Sequence, residues 1–128
     1  KKGPDYIDPM WLSLASGRRC RNLDPWLSSE AELVADFHRH SAGADVALVE
    51  GNKGLYHGLA LDGSNSNAAV ARMLGLPVVL LGFSPPDDHA HAPNEWMDLG
   101  NYETGIRAIV RTWDEIATID ASEMAAAR

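Results

Sequence analysis

Two short, unbroken apolar runs constrain this chain more than any other feature: Val46-Ala47-Leu48-Val49 and Val78-Val79-Leu80-Leu81. Neither alternates with polar residues, so neither suits a strand with one wet face. A continuous apolar run of this length fits a strand buried on both faces, as in a parallel sheet. Each run is closed abruptly, by Glu50-Gly51 and by Pro85-Pro86-Asp87-Asp88. Parallel neighbours need a crossover connection, usually a helix. The intervening sequence offers one at Ser66 to Leu74, with Val70, Met73 and Leu74 apolar and Gly75 placed to end it.

Two further stretches read as helices. Ser29 and Glu32 have capping-box spacing and open a helix over 29–41, with Leu33 and Phe37 four apart and Gly43 as its stop. Downstream, Tyr102, Ile106, Ile109, Val110, Trp113, Ile116 and Ala117 recur at helical spacing and mark the strongest amphipathic segment. The first 27 residues carry Gly3-Pro4, Asp8-Pro9, Gly17 and Asp24-Pro25, which predict a long shaped loop with one short helix around Met10 to Leu14. The order predicts an α/β fold. A small parallel sheet, with strands near 45–50 and 77–83, is flanked by helices and connected by right-handed crossovers. Two strands cover three helices poorly, so the sheet is expected to be incomplete, with a second copy or further segments completing it. A length of 128 residues predicts a single α/β domain over 1–128.

Composition narrows the partners. Apolar residues make up 45% and charged residues 23%, as in ordinary globular proteins. No apolar stretch approaches the ~20 residues that cross a bilayer, and Lys1-Lys2-Gly3-Pro4-Asp5 does not read as a leader. A net charge of −7 disfavours nucleic acid and anionic membrane as partners. The single Cys20 forms no internal disulfide or CxxC zinc site and fits a reducing, cytoplasmic setting.

Four clusters can carry chemistry. Asp5 and Asp8, three apart with Tyr6 between, can bind a cation or orient a hydroxyl or amide, although such a pair more often holds a turn by bonding local amides. Glu50 ends the first expected strand, where ligands of open parallel sheets collect, and an acid there can hold Mg²⁺ beside a phosphate; equally, it can be a solvated strand end. Gly51-Asn52-Lys53-Gly54 lets backbone approach a ligand and places Lys53 to meet a phosphate, but the Gly-Lys-Ser/Thr ending of a Walker loop is absent. Asp87-Asp88-His89-Ala90-His91 offers oxygen and nitrogen donors to zinc, although a run of this kind is more often a solvated loop. His38 and His40 read as surface residues.

Taken in order, Gly3-Pro4-Asp5-Tyr6-Ile7-Asp8-Pro9, Arg21-Asn22-Leu23-Asp24-Pro25-Trp26, Val49-Glu50-Gly51-Asn52-Lys53-Gly54-Leu55-Tyr56 and Asp62-Gly63-Ser64-Asn65-Ser66-Asn67-Ala68-Ala69 resemble the cobyrinic acid a,c-diamide synthase family over about residues 1–81. The resemblance implies an ATP- and glutamine-dependent amidoligase that phosphorylates a corrinoid, or related tetrapyrrole, carboxylate and lets ammonia displace the phosphate. It implies substrate and nucleotide handling by Asp5, Tyr6 and Asp8, and a catalytic, Mg²⁺-linked acid at Glu50. It also brings in Asn22 and Asp24 through the Asn-Leu-Asp signature. His57 stands where the family has Asp in Gly-Leu-Tyr-Asp-Gly. The family's phosphate-binding loop lies upstream of these motifs and its glutaminase domain downstream, so little turnover is expected of this stretch alone.

From about residue 77 the text changes. Val79-Leu80-Leu81-Gly82-Phe83, Asp87-Asp88-His89-Ala90-His91-Ala92-Pro93-Asn94-Glu95 and Asn101 through Arg107 resemble the carboxyl end of zinc metallopeptidases of the carboxypeptidase G and dipeptidase type, over about 77–120. That resemblance implies Zn²⁺ on His91, with Asp87 or His89 beside it. The two resemblances together read as a chimera, an amidoligase-like segment over 1–81 joined to a metallopeptidase-like segment over 82–128. A non-catalytic folded domain stands as a third reading.

Overall fold

The computed structural model describes residues 1–90, 92–120 and 122. The chain divides into two compact units, Lys1–Val78 and Val79–Arg128.

The first unit holds three helices, each with a local cause. Helix α1 (Ile7–Ser16) follows a turn in which Asp5 Oδ1 accepts from the Ile7 amide at 2.9 Å. Pro9 sits in its first turn, where an amide would have no intrahelical partner, and Gly17 ends it in the left-handed conformation. Helix α2 (Glu30–Ser41) starts on a complete capping box. The Glu32 amide donates to Ser29 Oγ at 3.4 Å, and the Ser29 amide donates to Glu32 Oε2 at 2.8 Å. The Ser29 amide, followed by its hydroxyl, holds the Glu32 carboxyl below the usual carboxylate range. Helix α3 (Asn67–Leu74) is capped by Ser66 Oγ, which accepts from the Ala69 amide at 3.1 Å, and it ends at left-handed Gly75. Helices α2 and α3 pack together, and Leu33 and Val70 join Leu23 as the buried apolar residues.

The expected α/β fold is corrected by the structure. Among the described residues there is no strand and no sheet, and a lone parallel bridge joins Lys2 to Leu23. Residues 45–50 and 77–83 lack the ladder that defines a strand. The apolar pattern was a statement about burial, and burial is what these runs lack: Val46 and Leu48 are both 66% exposed. A strand exists only where a neighbour about 4.8 Å away takes its amides and carbonyls. Periodicity reports that a segment is fit for such a place without supplying the neighbour.

The second unit is built on helix α4 (Leu99–Thr118), whose cap is Asp98, accepting from the Asn101 amide at 2.7 Å. Its buried Gly105 lies against Phe83, where a Cβ would come within 2.9 Å of the ring. The Trp96 indole donates to the Asp87 carbonyl at 2.8 Å and the Trp96 amide to the Asp88 carbonyl at 3.1 Å, closing the loop that precedes the helix. Among the described residues no helix is long and apolar enough to cross a membrane.

Because Ser29 satisfies helix-start amides from both sides of the capping box, Ser29→Ala is expected to cost about 1 kcal/mol of folding stability. Urea denaturation measures this, and an unchanged midpoint contradicts the role given to the cap.

Candidate functional site

The site is built on three neighbouring backbone segments. Residues 1–3 run beside Leu23, with the Leu23 amide donating to the Lys1 carbonyl at 2.8 Å and the Gly3 amide to the Leu23 carbonyl at 2.7 Å. On the other hand of the same stretch, the Lys2 amide donates to the Glu50 carbonyl at 2.8 Å. Gly3 has a φ of +83°, and a Cβ there would meet Asn52 Nδ2 at 2.8 Å. The positive φ favours glycine, and any side chain there would also have to displace the Asn52 side-chain amide.

This arrangement gathers Asp5, Asp8 and Glu50 around one cation. Lys1 Nζ donates to Asp8 Oδ2 at 2.7 Å and lies 3.4 Å from Glu50 Oε2 and 3.7 Å from Asp5 Oδ2. The Lys1 side chain is 3% exposed, whereas about half of each of the Asp8 and Glu50 side chains remains open to solvent. Burial works to lower the pKa of the Lys1 ammonium. The hydrogen bond to Asp8, then the charges of Glu50 and Asp8, outweigh burial and leave the pKa raised. Reciprocally, the Lys1 hydrogen bond, followed by that of Asp5, holds the Asp8 carboxyl below the usual range.

The other residues singled out in the sequence take different places. Asp5 serves twice, facing Lys1 and closing the turn into α1. Asn22 Nδ2 donates to the Asp5 carbonyl at 2.8 Å and braces that turn. Asp24 is buried; its Oδ1 accepts from the Trp26 amide at 2.9 Å, and its charge partly offsets the burial that lowers the pKa of Lys2. Tyr6 is 91% exposed, and Lys53 is exposed with a left-handed φ of 54°. Around Lys53, the Asn52 amide donates to Asn67 Oδ1 at 3.1 Å and the Gly54 amide to His57 Nδ1 at 3.2 Å. Two of the loop amides that could cradle a phosphate are therefore turned to protein acceptors. His57, in the position where an Asp was expected, supplies one of them through its imidazole.

Three residues were not singled out in the sequence. Lys1, which the sequence marks only as part of a segment unlike a leader, is the centre of the cluster. Asn65 is buried and takes the Ala60 amide at 3.0 Å, and Asn67 grips the Gly51–Gly54 loop. The repeated Ser-Asn pattern of residues 64–67 was the available signal.

Hard carboxylate oxygens suit Mg²⁺ by chemistry, but the convergence point of this trio is filled by the Lys1 ammonium. The trio does not fit a resident metal, and among the described residues no group of three His, Cys, Asp or Glu side chains is arranged to hold one. The zinc expectation falls partly on His91, which lies outside the described residues. His89 has a left-handed φ of 56°, Asp88 Oδ1 accepts from the Ala90 amide at 3.0 Å, and the Asp87 carbonyl takes the Trp96 indole.

The ion cluster gives folding stability two pH limits. The lowered Asp8 pKa contributes stability above the usual carboxylate range that is lost as pH falls through the depressed value. The raised Lys1 pKa contributes stability below the usual lysine value that is lost as pH rises through the elevated one. Denaturant midpoints measured against pH are expected to fall at both ends, and Lys1→Met is expected to flatten both falls. An unchanged profile in that variant contradicts the pairing.

No protein-family model matches the chain, and no solved structure matches it. Curated proteins do. The chain is 56% identical over 81 residues to the cobyrinate a,c-diamide synthase of Magnetococcus marinus and 50% identical over 84 residues to that of Synechocystis sp.. It is 42% identical over 82 residues to that of Methanocaldococcus jannaschii. Each match covers 63% of this chain, and the chain spans 17–18% of the length of these relatives. The metallopeptidase resemblance of residues 77–120, and the chimera drawn from it, gain no support from these comparisons. Over close to two-thirds of its length the chain is homologous to cobyrinate a,c-diamide synthases.

Proposed function

We propose that this chain carries part of the active centre of an ATP- and glutamine-dependent amidoligase that acts on a corrinoid carboxylate. The observation that supports this most is the convergence of Asp5, Asp8 and Glu50 on Lys1, built from the segments whose motifs resemble that family. In such a reaction a substrate carboxylate oxygen attacks the γ-phosphorus of ATP, the bond to the β–γ bridging oxygen breaks, and ADP leaves. Ammonia then adds to the acyl carbon, the C–O bond to phosphate breaks with its electron pair, and the nitrogen gives up a proton. Catalysis of this kind rests mainly on placing charge in advance.

The cluster sets three negative charges against one positive. It therefore favours ATP arriving as its magnesium complex over the bare polyanion, with Mg²⁺ entering as part of the substrate. Lys1 keeps the three acids gathered and holds the Asp8 carboxyl below its usual range. Glu50, half open to solvent, is the acid placed to take the proton that ammonia gives up. Tyr6 and Lys53, both exposed, are the side chains free to meet the substrate. Asn22 braces the turn from which Tyr6 projects, and Asp24 closes the separate turn at Trp26.

The test is a hybrid enzyme in which this chain's homologous segment replaces its counterpart in the 56% identical Magnetococcus marinus relative. The hybrid is expected to form the diamide in an ATP- and glutamine-dependent assay. Glu50→Gln in the hybrid is expected to lower the rate by about 10²-fold or more. A folded hybrid with no amidation, or one indifferent to Glu50→Gln, contradicts the proposal.

A further inference from the structure

The Glu50–Gly54 segment is held from two sides. At one end the Glu50 carbonyl accepts from the Lys2 amide at 2.8 Å. At the other, one side chain meets the loop at three points. Asn67 Oδ1 accepts from the Asn52 amide at 3.1 Å, while Asn67 Nδ2 donates to the Gly54 carbonyl at 3.0 Å and to the Asn52 carbonyl. The fit is close: a Cβ on Gly51 would lie 3.0 Å from Asn67 Cγ. Asn67 is itself fixed, as the first residue of α3 directly after the cap Ser66, which is buried. On its far side the clamped loop reaches the acid turn, since Asn52 Nδ2 packs against Gly3.

We infer that Asn67 is a positioning residue, which acts through the Asn52–Gly54 backbone to hold Glu50 against Lys1. A carboxamide is the group this task needs. The loop presents one amide proton and two carbonyl oxygens to the same side chain, and only a group that both accepts and donates answers all three. An aspartate of the same shape keeps the acceptor but sets a negative charge against two carbonyl oxygens. An alanine leaves all three partners to find water or each other. This inference rests on the reading of Glu50 as a site acid, and it adds a residue that touches neither substrate nor Lys1.

The test follows the Lys1 side-chain ammonium by NMR of its ¹³Cε through an alkaline titration, in the intact chain and without nucleotide. Glu50→Gln sets the scale, by removing the Glu50 contribution to the raised Lys1 pKa. Asn67→Asp and Asn67→Ala are each expected to produce at least half of that fall, with α-helix content by circular dichroism unchanged. Asn67→Ser, whose shorter side chain cannot span all three partners, is expected to lower the Lys1 pKa in the same direction, and serves as the deciding variant should Asn67→Asp lose helix. A Lys1 titration unmoved in folded Asn67→Asp, or in Asn67→Ser where that variant decides, overturns the inference, since a packing role alone tolerates a side chain of the same shape. The titration involves no catalysis, so its failure overturns the clamp, whereas an inactive hybrid enzyme with the titration as expected overturns the amidoligase reading alone.

Discussion

A buried lysine ammonium is costly unless charge and hydrogen bonds replace the water it loses. Lys1 meets that cost with three carboxylates drawn from three places in the chain: the start of the acid turn, the first turn of α1, and the end of the Val46–Val49 run. Removing the lysine would leave three like charges facing one another. Removing one acid would leave the ammonium less compensated. The folding of residues 1–8 and the seat of Glu50 are thus coupled through the Lys1 ammonium and the Lys2 amide, and the glycine at position 3, the bridge to Leu23 and the loop at Gly51–Gly54 all serve to bring that ammonium to its acids.

Helices were legible in the sequence because their causes are local. The Ser29–Glu32 capping box, the left-handed stop at Gly75 and the apolar spacing from Tyr102 to Ala117 each act within a few residues, and each has its helix. The expected sheet had no such local cause, and it is absent among the described residues. A continuous apolar run specifies a need for burial on both faces, and satisfying it takes partners that the run does not encode. Val46, Leu48, Val79 and Leu80 remain exposed, which is the physical form that unmet need takes.

The candidate site shows a similar division. Asp5, Asp8 and Glu50 could be picked out by residue type and by their resemblance to an amidoligase family, and the structure brings all three together. Their common partner could not be picked out, because Lys1 precedes the acid turn with nothing in its spacing to mark it. Asn22 and Asp24 were legible as signature residues, but their observed work is bracing turns. Asn67 was hidden for a different reason: an asparagine at the start of a helix reads as ordinary helix-start chemistry, and the loop it grips lies 13 to 15 residues away.

The central claim is that Lys1 and Glu50 act on one another rather than side by side. A double-mutant cycle measures this directly, with denaturant unfolding of the parent, Lys1→Met, Glu50→Gln and the double variant. The account predicts clear non-additivity, with Glu50→Gln costing much less stability once Lys1 is gone. Effects that add within experimental error would contradict it.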